Sequence, residues 1–192
     1  MTTLQAALLK LHDYRPTEVA FETGMIAAAV AVILHDGDEG LEALFIHRAE
    51  RAGDTWSGQI AFPGGRQDTG DADLRATAIR ETREEIGLDL ASAELLAVLD
   101  DMHPRTPVLP PVVVRPFVFS LSDRRPPALT LGSEVQDAFW VSFRALAAPD
   151  ARREVTIQLR GVTRAFPAFV LGNHTIWGMT ERILAPLLTL VS

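Results

Sequence analysis

The sequence predicts a single α+β domain built from several strands, one central helix and a helix near each end of the chain. Short apolar runs typical of buried strands flank one segment with clear helical periodicity. The strands do not alternate regularly with helices, so a doubly wound parallel sheet is not expected. The chain has 192 residues, enough for one hydrophobic core, and we therefore expect one domain over residues 1–192.

The first part of the chain predicts a helix followed by a hairpin. Apolar residues at helical spacing indicate a short amphipathic helix over residues 3–12, which Pro16 ends at the latest. Met25–Leu34 is rich in Ala, Val and Ile and precedes the turn sequence "HDGDEG". We expect a buried strand there, paired with a second strand over residues 41–47.

The remaining elements follow from the same kinds of signal. Residues 48–70 form a long glycine-rich loop, which in a compact domain is usually functional. The predicted helices after it cover 72–86, ended by Gly87, a turn from Ser142, and 177–190, where Pro186 is expected to kink the helix or end it early. The predicted strands cover 94–100, 112–121, 138–141, a pair within 154–162, and 168–171.

Composition and charge exclude several classes of function. The net charge of −7 argues against broad nucleic-acid binding, which needs a basic surface, and implies that an anionic substrate is bound through a cation. There is no cysteine, and the longest apolar run has ten residues, too few to cross a bilayer. No signal-peptide pattern is recognisable, so the predicted location is the cytoplasm, with no membrane partner. A homodimer is compatible with the sequence.

The stretch "AIRETREEIGL" places three carboxylates, those of Glu81, Glu84 and Glu85, on one face of the central helix. Like charges at this spacing cost a helix a few tenths of a kcal/mol per pair. An ordinary solvated face is the alternative, but such a face interleaves lysine with glutamate, and this one has no lysine. A hard divalent cation such as Mg²⁺ or Mn²⁺ would remove the repulsion, because both ions prefer carboxylate oxygens.

The glycine loop just before the helix strengthens the prediction of a site. In "FPGG", Gly64 and Gly65 lack side chains, so the backbone can approach a ligand or metal closely. Arg66 follows directly and is placed to hold a phosphate.

Together these residues resemble the Nudix hydrolase family. Gly65 is followed by five residues and Asp71, then by eight residues and the run from Arg80 to Leu88, "RETREEIGL". The family pattern has Glu where Asp71 stands, one residue fewer before the arginine, and an apolar residue where Thr82 stands. The resemblance implies an α/β/α sandwich around a mixed sheet, with the helices over 3–12 and 177–190 as extensions.

The resemblance also implies roles for individual residues. Glu81, Glu84 and Glu85 would coordinate Mg²⁺ or Mn²⁺, the carbonyl of Gly64 would add a ligand, and Arg80 would orient the glutamates. The reaction would be hydrolysis of a nucleoside diphosphate linked to another moiety, which needs neutralised phosphate charge, an activated water and a general base. Either a helix glutamate or Glu134, from a distant loop, would be that base.

A subgroup is indicated by "SGQIAFPGG", "LDDMHPRTP" and "IWGMTERIL", which are similar to coenzyme A pyrophosphatases. Asp54 stands where the subgroup has arginine, so Arg48 or Arg51 would contact the substrate through a shifted loop. Trp56 would stack on a base or, alternatively, anchor the loop by packing.

Two other functions remain open at this point. The same chemistry could act on ADP-ribose, a dinucleotide or an oxidised nucleoside triphosphate. Alternatively, the chain could be a nucleotide-sensing module without turnover, although such modules usually lack some of the helix glutamates, and all three are present here.

Overall fold

The computed structural model describes residues 3–50, 57–103, 111–122, 127–159 and 161–191. In chain order the elements are α1 (Leu4–His12), β1 (Ile26–Gly37), β2 (Gly40–Arg48), β3 (Ile60–Ala61), β4 (Gly64–Arg66), α2 (Leu74–Ile86), β5 (Glu94–Val98), β6 (Val112–Ser120), β7 (Val135–Ser142), α3 (Phe143–Leu146), β8 (Arg152–Leu159), β9 (Val162–Leu171), β10 (His174–Trp177) and α4 (Met179–Val191).

The main sheet is mixed, as predicted. It has seven strands, with β3-β2-β1-β6-β5 in spatial order, while β4 pairs with β1 and β7 pairs with β2. β1 and β6 run parallel, and β1 is antiparallel to both β2 and β4. The long loop expected over residues 48–70 is therefore only partly a loop, because β3 and β4 return from it to the sheet.

Helices cover both faces of this sheet, which confirms the α/β/α sandwich. Along β1, Val32 and Leu34 pack on the side of α1 and α4, whereas Ala31 and Ile33 pack on the side of α2. These four side chains are completely buried. A strand buried on both faces reads as a continuous apolar run, which explains the pattern of residues 25–34.

A second, antiparallel sheet of three strands, in the order β10-β9-β8, lies near the end of the chain. The strand pair predicted within 154–162 and the strand predicted over 168–171 are parts of one long hairpin, formed by β8 and β9. β10 was not predicted, because its four residues are too few to show a period.

The helix boundaries have local causes. Asp73 caps α2 by accepting a hydrogen bond from Ala76 N at 2.8 Å, and Gly87 ends the helix with φ +71°. Of the two alternatives predicted for Pro186, a kink or an early end, the early end was wrong, since α4 continues to Val191. The buried face of α4 is held by tertiary packing, which outweighs the hydrogen bond that proline lacks. Within the described ranges, no helix is long and apolar enough to cross a membrane.

Candidate active site

The two glycines of "FPGG" lie in close contact with neighbouring groups. β4 pairs with the first half of β1, with Gly64 opposite Val30 and Gly65 opposite Ala29. A Cβ on Gly64, whose φ is +154°, would lie 2.2 Å from the carbonyl oxygen of Ala29. A Cβ on Gly65 would lie 2.4 Å from the carboxylate carbon of Glu81. The glycine backbone is therefore in direct contact with the acidic face of α2.

Glu85 is the most buried carboxylate of this face, with 5% of its side chain exposed. It accepts a hydrogen bond from the N–H of Gly64 at 2.9 Å and another from Nη1 of Arg48 at 3.1 Å. The pKa of Glu85 is raised to about 7, chiefly by burial and also by the nearby charges of Glu81 and Glu134, against the opposing effect of its two donors. A cation bound nearby would therefore strongly stabilise the charged form of the Glu85 carboxylate.

Arg80 joins the other acidic groups. Its Nε and Nη2 each donate to Asp71 at 2.9 Å, while its Nη1 donates to Glu81 at 2.8 Å and to Glu84 at 3.1 Å. Its Nη2 also donates to the carbonyl of Arg66 at 3.0 Å. These hydrogen bonds raise the pKa of Arg80. Arg80 thus links the helix face to the segment that carries the glycine loop.

Asp71 is a site-forming residue whose contact with Arg80 sequence reasoning missed. Besides Arg80, it accepts hydrogen bonds from Asp68 N and Thr77 Oγ1, each at 2.9 Å. The paired guanidinium holds the pKa of Asp71 well below its usual range. Its place in the spacing pattern, five residues after Gly65, was the available signal.

Glu134 reaches the cluster because its loop is fixed to the end of α2. Thr130 N donates to the carbonyl of Ile86 at 2.9 Å, and Gly132 N donates to the carbonyl of Glu85 at 2.8 Å. The carboxylate of Glu134 lies 3.9 Å from Nη2 of Arg48, on the other side of that guanidinium from Glu85. The distant-loop glutamate is therefore close to the helix glutamates in space.

These groups line one cleft of about 500 Å³. The predicted site residues in its lining are Arg48, Gly64, Gly65, Arg66, Glu81, Glu85 and Glu134. Glu84 is the most exposed of the three helix glutamates and is held beside the cleft by Arg80. Two further predicted substrate contacts, Arg51 and Trp56, lie outside the described residues.

The carboxylate and carbonyl oxygens of the cluster are the ligand types that a hard divalent cation prefers. Their side chains do not converge in the geometry of a bound ion. Among the residues that the structure describes, no three acidic or imidazole groups converge on one point. Burial raises the pKa of Glu81, and its neighbour Glu84 adds to that effect. Clustered carboxylates with raised pKa values beside bare glycine backbone are a suitable environment for Mg²⁺ or Mn²⁺.

Comparison with known proteins gives consistent matches. The family model described as the NUDIX domain matches residues 25–162. Nudix hydrolase 22, chloroplastic, from Arabidopsis thaliana is 30% identical over 189 residues, which cover 91% of this chain and 61% of that protein. The mitochondrial coenzyme A diphosphatase NUDT8 from Mus musculus is 30% identical over 142 residues, 73% of this chain and 66% of that protein.

A solved structure agrees with the fold. The crystal structure of a MutT/nudix family protein from Enterococcus faecalis has a TM-score of 0.56 at 18% identity, covering 95% of this chain and 66% of that one. At this identity the likeness concerns the fold alone. The chain spans only about three fifths to two thirds of the length of the relatives named here.

Proposed function

Because this chain belongs to the Nudix hydrolase family, we propose that it hydrolyses the pyrophosphate bond of a nucleoside diphosphate derivative with Mg²⁺ or Mn²⁺. The observation that carries the proposal is the contact between the acidic face of α2 and the glycine backbone of β4, at the edge of a cleft that also holds two arginines. We propose that this site belongs to one Nudix domain over residues 1–192.

In this proposal Glu81, Glu84 and Glu85 hold the cation, together with the carbonyl of Gly64. A bound divalent ion neutralises charge on the phosphate oxygens and lowers the pKa of its water. Arg80, which donates to both Glu81 and Glu84, keeps these carboxylates oriented.

The cationic side chains of the cleft would receive the substrate. Arg66 and Arg48 line the cleft and would contact phosphate, and the bare backbone of Gly65 would allow close approach. Arg48 lies between two carboxylates, so it also holds Glu85 and Glu134 near each other. In this proposal either of these two glutamates would accept the proton of the attacking water.

We propose coenzyme A or an acyl-coenzyme A as the substrate. The support is the coenzyme A diphosphatase function named for the relative from Mus musculus and the similarity of three short motifs to that subgroup. ADP-ribose, dinucleotides and oxidised nucleoside triphosphates are the competing substrates. A nucleotide sensor is the competing class, but the complete set of three helix glutamates favours catalysis.

A substrate panel tests the proposal. Purified protein is incubated with Mg²⁺ or Mn²⁺ and coenzyme A, acetyl-coenzyme A, ADP-ribose, NADH, diadenosine polyphosphates or oxidised dGTP, and the products are identified by mass. We expect 3′-phosphoadenosine 5′-phosphate and 4′-phosphopantetheine from coenzyme A. Glu84→Gln is the matched inactive control. Tight nucleotide binding without turnover of any panel member would instead support the sensor.

Assembly, partners and location are proposed from sequence. The acidic net charge supports a small-molecule substrate over nucleic acid. A homodimer would be detected by light scattering during gel filtration. We propose a cytoplasmic location, which localisation of a tagged protein would test.

A further inference from the structure

One side of the cleft is lined mainly by apolar residues and not by the acidic cluster. Met179 and Ile183, from the first turns of α4, line the same cleft as Glu81 and Glu85, and the lining from this helix also includes Thr180. The match to the NUDIX domain ends at residue 162, so α4 lies beyond the segment shared across the family. This part of the cleft is therefore placed to distinguish one family member from another.

Two valines of β6 complete this apolar side. Val112 and Val114 line the cleft, and they pack with Ala28 of β1 in a small cluster that Met179 also contacts. We call Val112, Val114, Met179 and Ile183 the apolar wall. Ile183 and both valines are buried, so a ligand meets a largely preformed surface.

An ion pair between buried Glu181 and half-exposed Arg152 fixes α4 in this position. Glu181 has only 2% of its side chain exposed, and its Oε1 accepts a hydrogen bond from Nε of Arg152 at 2.9 Å and lies 2.7 Å from Nη2 of the same guanidinium. Arg152 belongs to β8, so this ion pair holds the first turn of α4 to the second sheet. Glu181 lies between Met179 and Ile183 in the sequence, so its ion pair fixes the part of α4 that carries both of these wall residues.

We infer that the apolar wall selects substrates whose leaving group is a methylene-rich arm over those whose leaving group is a sugar. This inference rests on the proposed pyrophosphatase function. The hydroxyl groups of a sugar would lose hydrogen bonds to water against four apolar side chains, whereas a chain of methylene and amide groups would bury its apolar surface there. The acidic cluster sets the reaction, and the wall sets which molecule is cut.

The first test replaces one wall residue by a polar residue of similar shape. For Met179→Gln we expect kcat/KM with coenzyme A to fall about ten-fold, mainly through KM, as is usual when one apolar contact is lost. With ADP-ribose we expect a change of less than about two-fold, because its sugar gains little from the wall. Leu190→Gln, a half-buried position of α4 outside the cleft, is the control and should leave both values unchanged.

The second test does not depend on turnover. Calorimetric titration compares 4′-phosphopantetheine with ribose 5-phosphate as probes. We expect the first probe to bind at least about ten-fold more tightly to the wild type, and Met179→Gln to reduce that preference. Val114→Thr is a second variant, because threonine fits a strand and adds one hydroxyl to the wall. Circular dichroism confirms that each variant is folded.

The outcomes separate this inference from the proposed function. The wild type could cut no panel substrate and yet prefer 4′-phosphopantetheine, with Met179→Gln reducing that preference. In that case the pyrophosphatase proposal fails, while the role of the apolar wall in binding is supported. If Met179→Gln and Val114→Thr alter both substrates and both probes equally, or alter neither, the wall assignment is overturned while the pyrophosphatase stands.

Discussion

The carboxylate of Asp71 receives two parallel hydrogen bonds from the guanidinium of Arg80, each 2.9 Å long. This geometry fixes the plane of Arg80 and leaves its Nη1 directed at Glu81 and Glu84. The family pattern has glutamate at this point, one residue closer to the arginine. The shorter aspartate and the additional residue together still give a complete ion pair.

We therefore expect Asp71→Asn to weaken both folding and activity. Removing one partner of this largely buried pair should lower the free energy of unfolding by about 3 kcal/mol at pH 7. The pKa of Asp71 is lowered from 3.8, so the stability that its charge contributes is present above that pH and is lost as the pH falls below it. Urea unfolding of wild type and variant should therefore differ at pH 7 and converge in acid. A difference that persists unchanged in acid would contradict the assignment.

The elements that sequence predicted well are those with local causes. The helix before Gly87 was correct within two residues at its start, because its apolar period and its stop signal both lie inside the segment. The positions of the glutamates followed from the 3.6-residue period alone. The pairing of β4 with β1 was not predictable, because a three-residue strand of glycines and arginine has no pattern.

Burial depth within the site also depends on distant residues. Periodicity placed Glu81, Glu84 and Glu85 on one face, but Glu85 is buried by β4 and by Arg48, which lies 37 positions away in sequence. The apolar wall likewise joins β6 to α4, segments with no local relation. Such contacts are set by tertiary packing, which a single sequence does not display.

The contact between Gly65 and Glu81 gives a second prediction. In Gly65→Ala the added methyl would displace the Glu81 carboxylate, since the two would lie about 2.4 Å apart. A displacement of this size at a reacting centre typically costs about a hundred-fold in rate. Gly70→Ala is the control, because nothing lies within 4 Å of the added carbon there. Steady-state rates with Mg²⁺ would show the difference, and equal activity of the two variants would reject the placement of Glu81 at the reaction centre.

A third prediction concerns the general base. Glu134 is half exposed and lies beside Arg48, so the water that attacks the pyrophosphate would have access to its carboxylate. We expect Glu134→Gln to lower kcat about a hundred-fold with KM preserved. Asp137→Asn serves as the control from the following strand. If Glu134→Gln keeps normal turnover while Glu85→Gln abolishes it, the base is on α2.

The anchor of α4 gives a fourth prediction. Arg152→Met would leave the charge of Glu181 buried without its partner, and we expect a loss of about 3 kcal/mol in the free energy of unfolding. The double variant Arg152→Met/Glu181→Gln should be less destabilised than the single change, since no charge is then buried. Urea unfolding of Arg152→Met, Glu181→Gln and the double variant measures this coupling. Strictly additive losses would show that the two side chains do not act as a pair.

The last prediction concerns Glu85 when divalent ions are removed. Its pKa is raised from 4.5 to about 7, so between these pH values the folded protein binds more protons than the unfolded chain. In a chelating buffer we expect stability to fall as the pH rises from 4.5 to 7, by about 3 kcal/mol, since one pKa unit corresponds to about 1.4 kcal/mol.

Glu85→Gln should remove this slope, because glutamine does not titrate. Saturating Mg²⁺ should restore the stability of the wild type at pH 8 and have a smaller effect on the variant, because the ion binds the charged carboxylate of the folded state. Urea unfolding at pH 5 and pH 8, with and without Mg²⁺, measures all four conditions. An equal slope in both proteins, together with an equal response to Mg²⁺, would mean that the buried carboxylate is neutralised by Arg48 alone and does not need a metal ion.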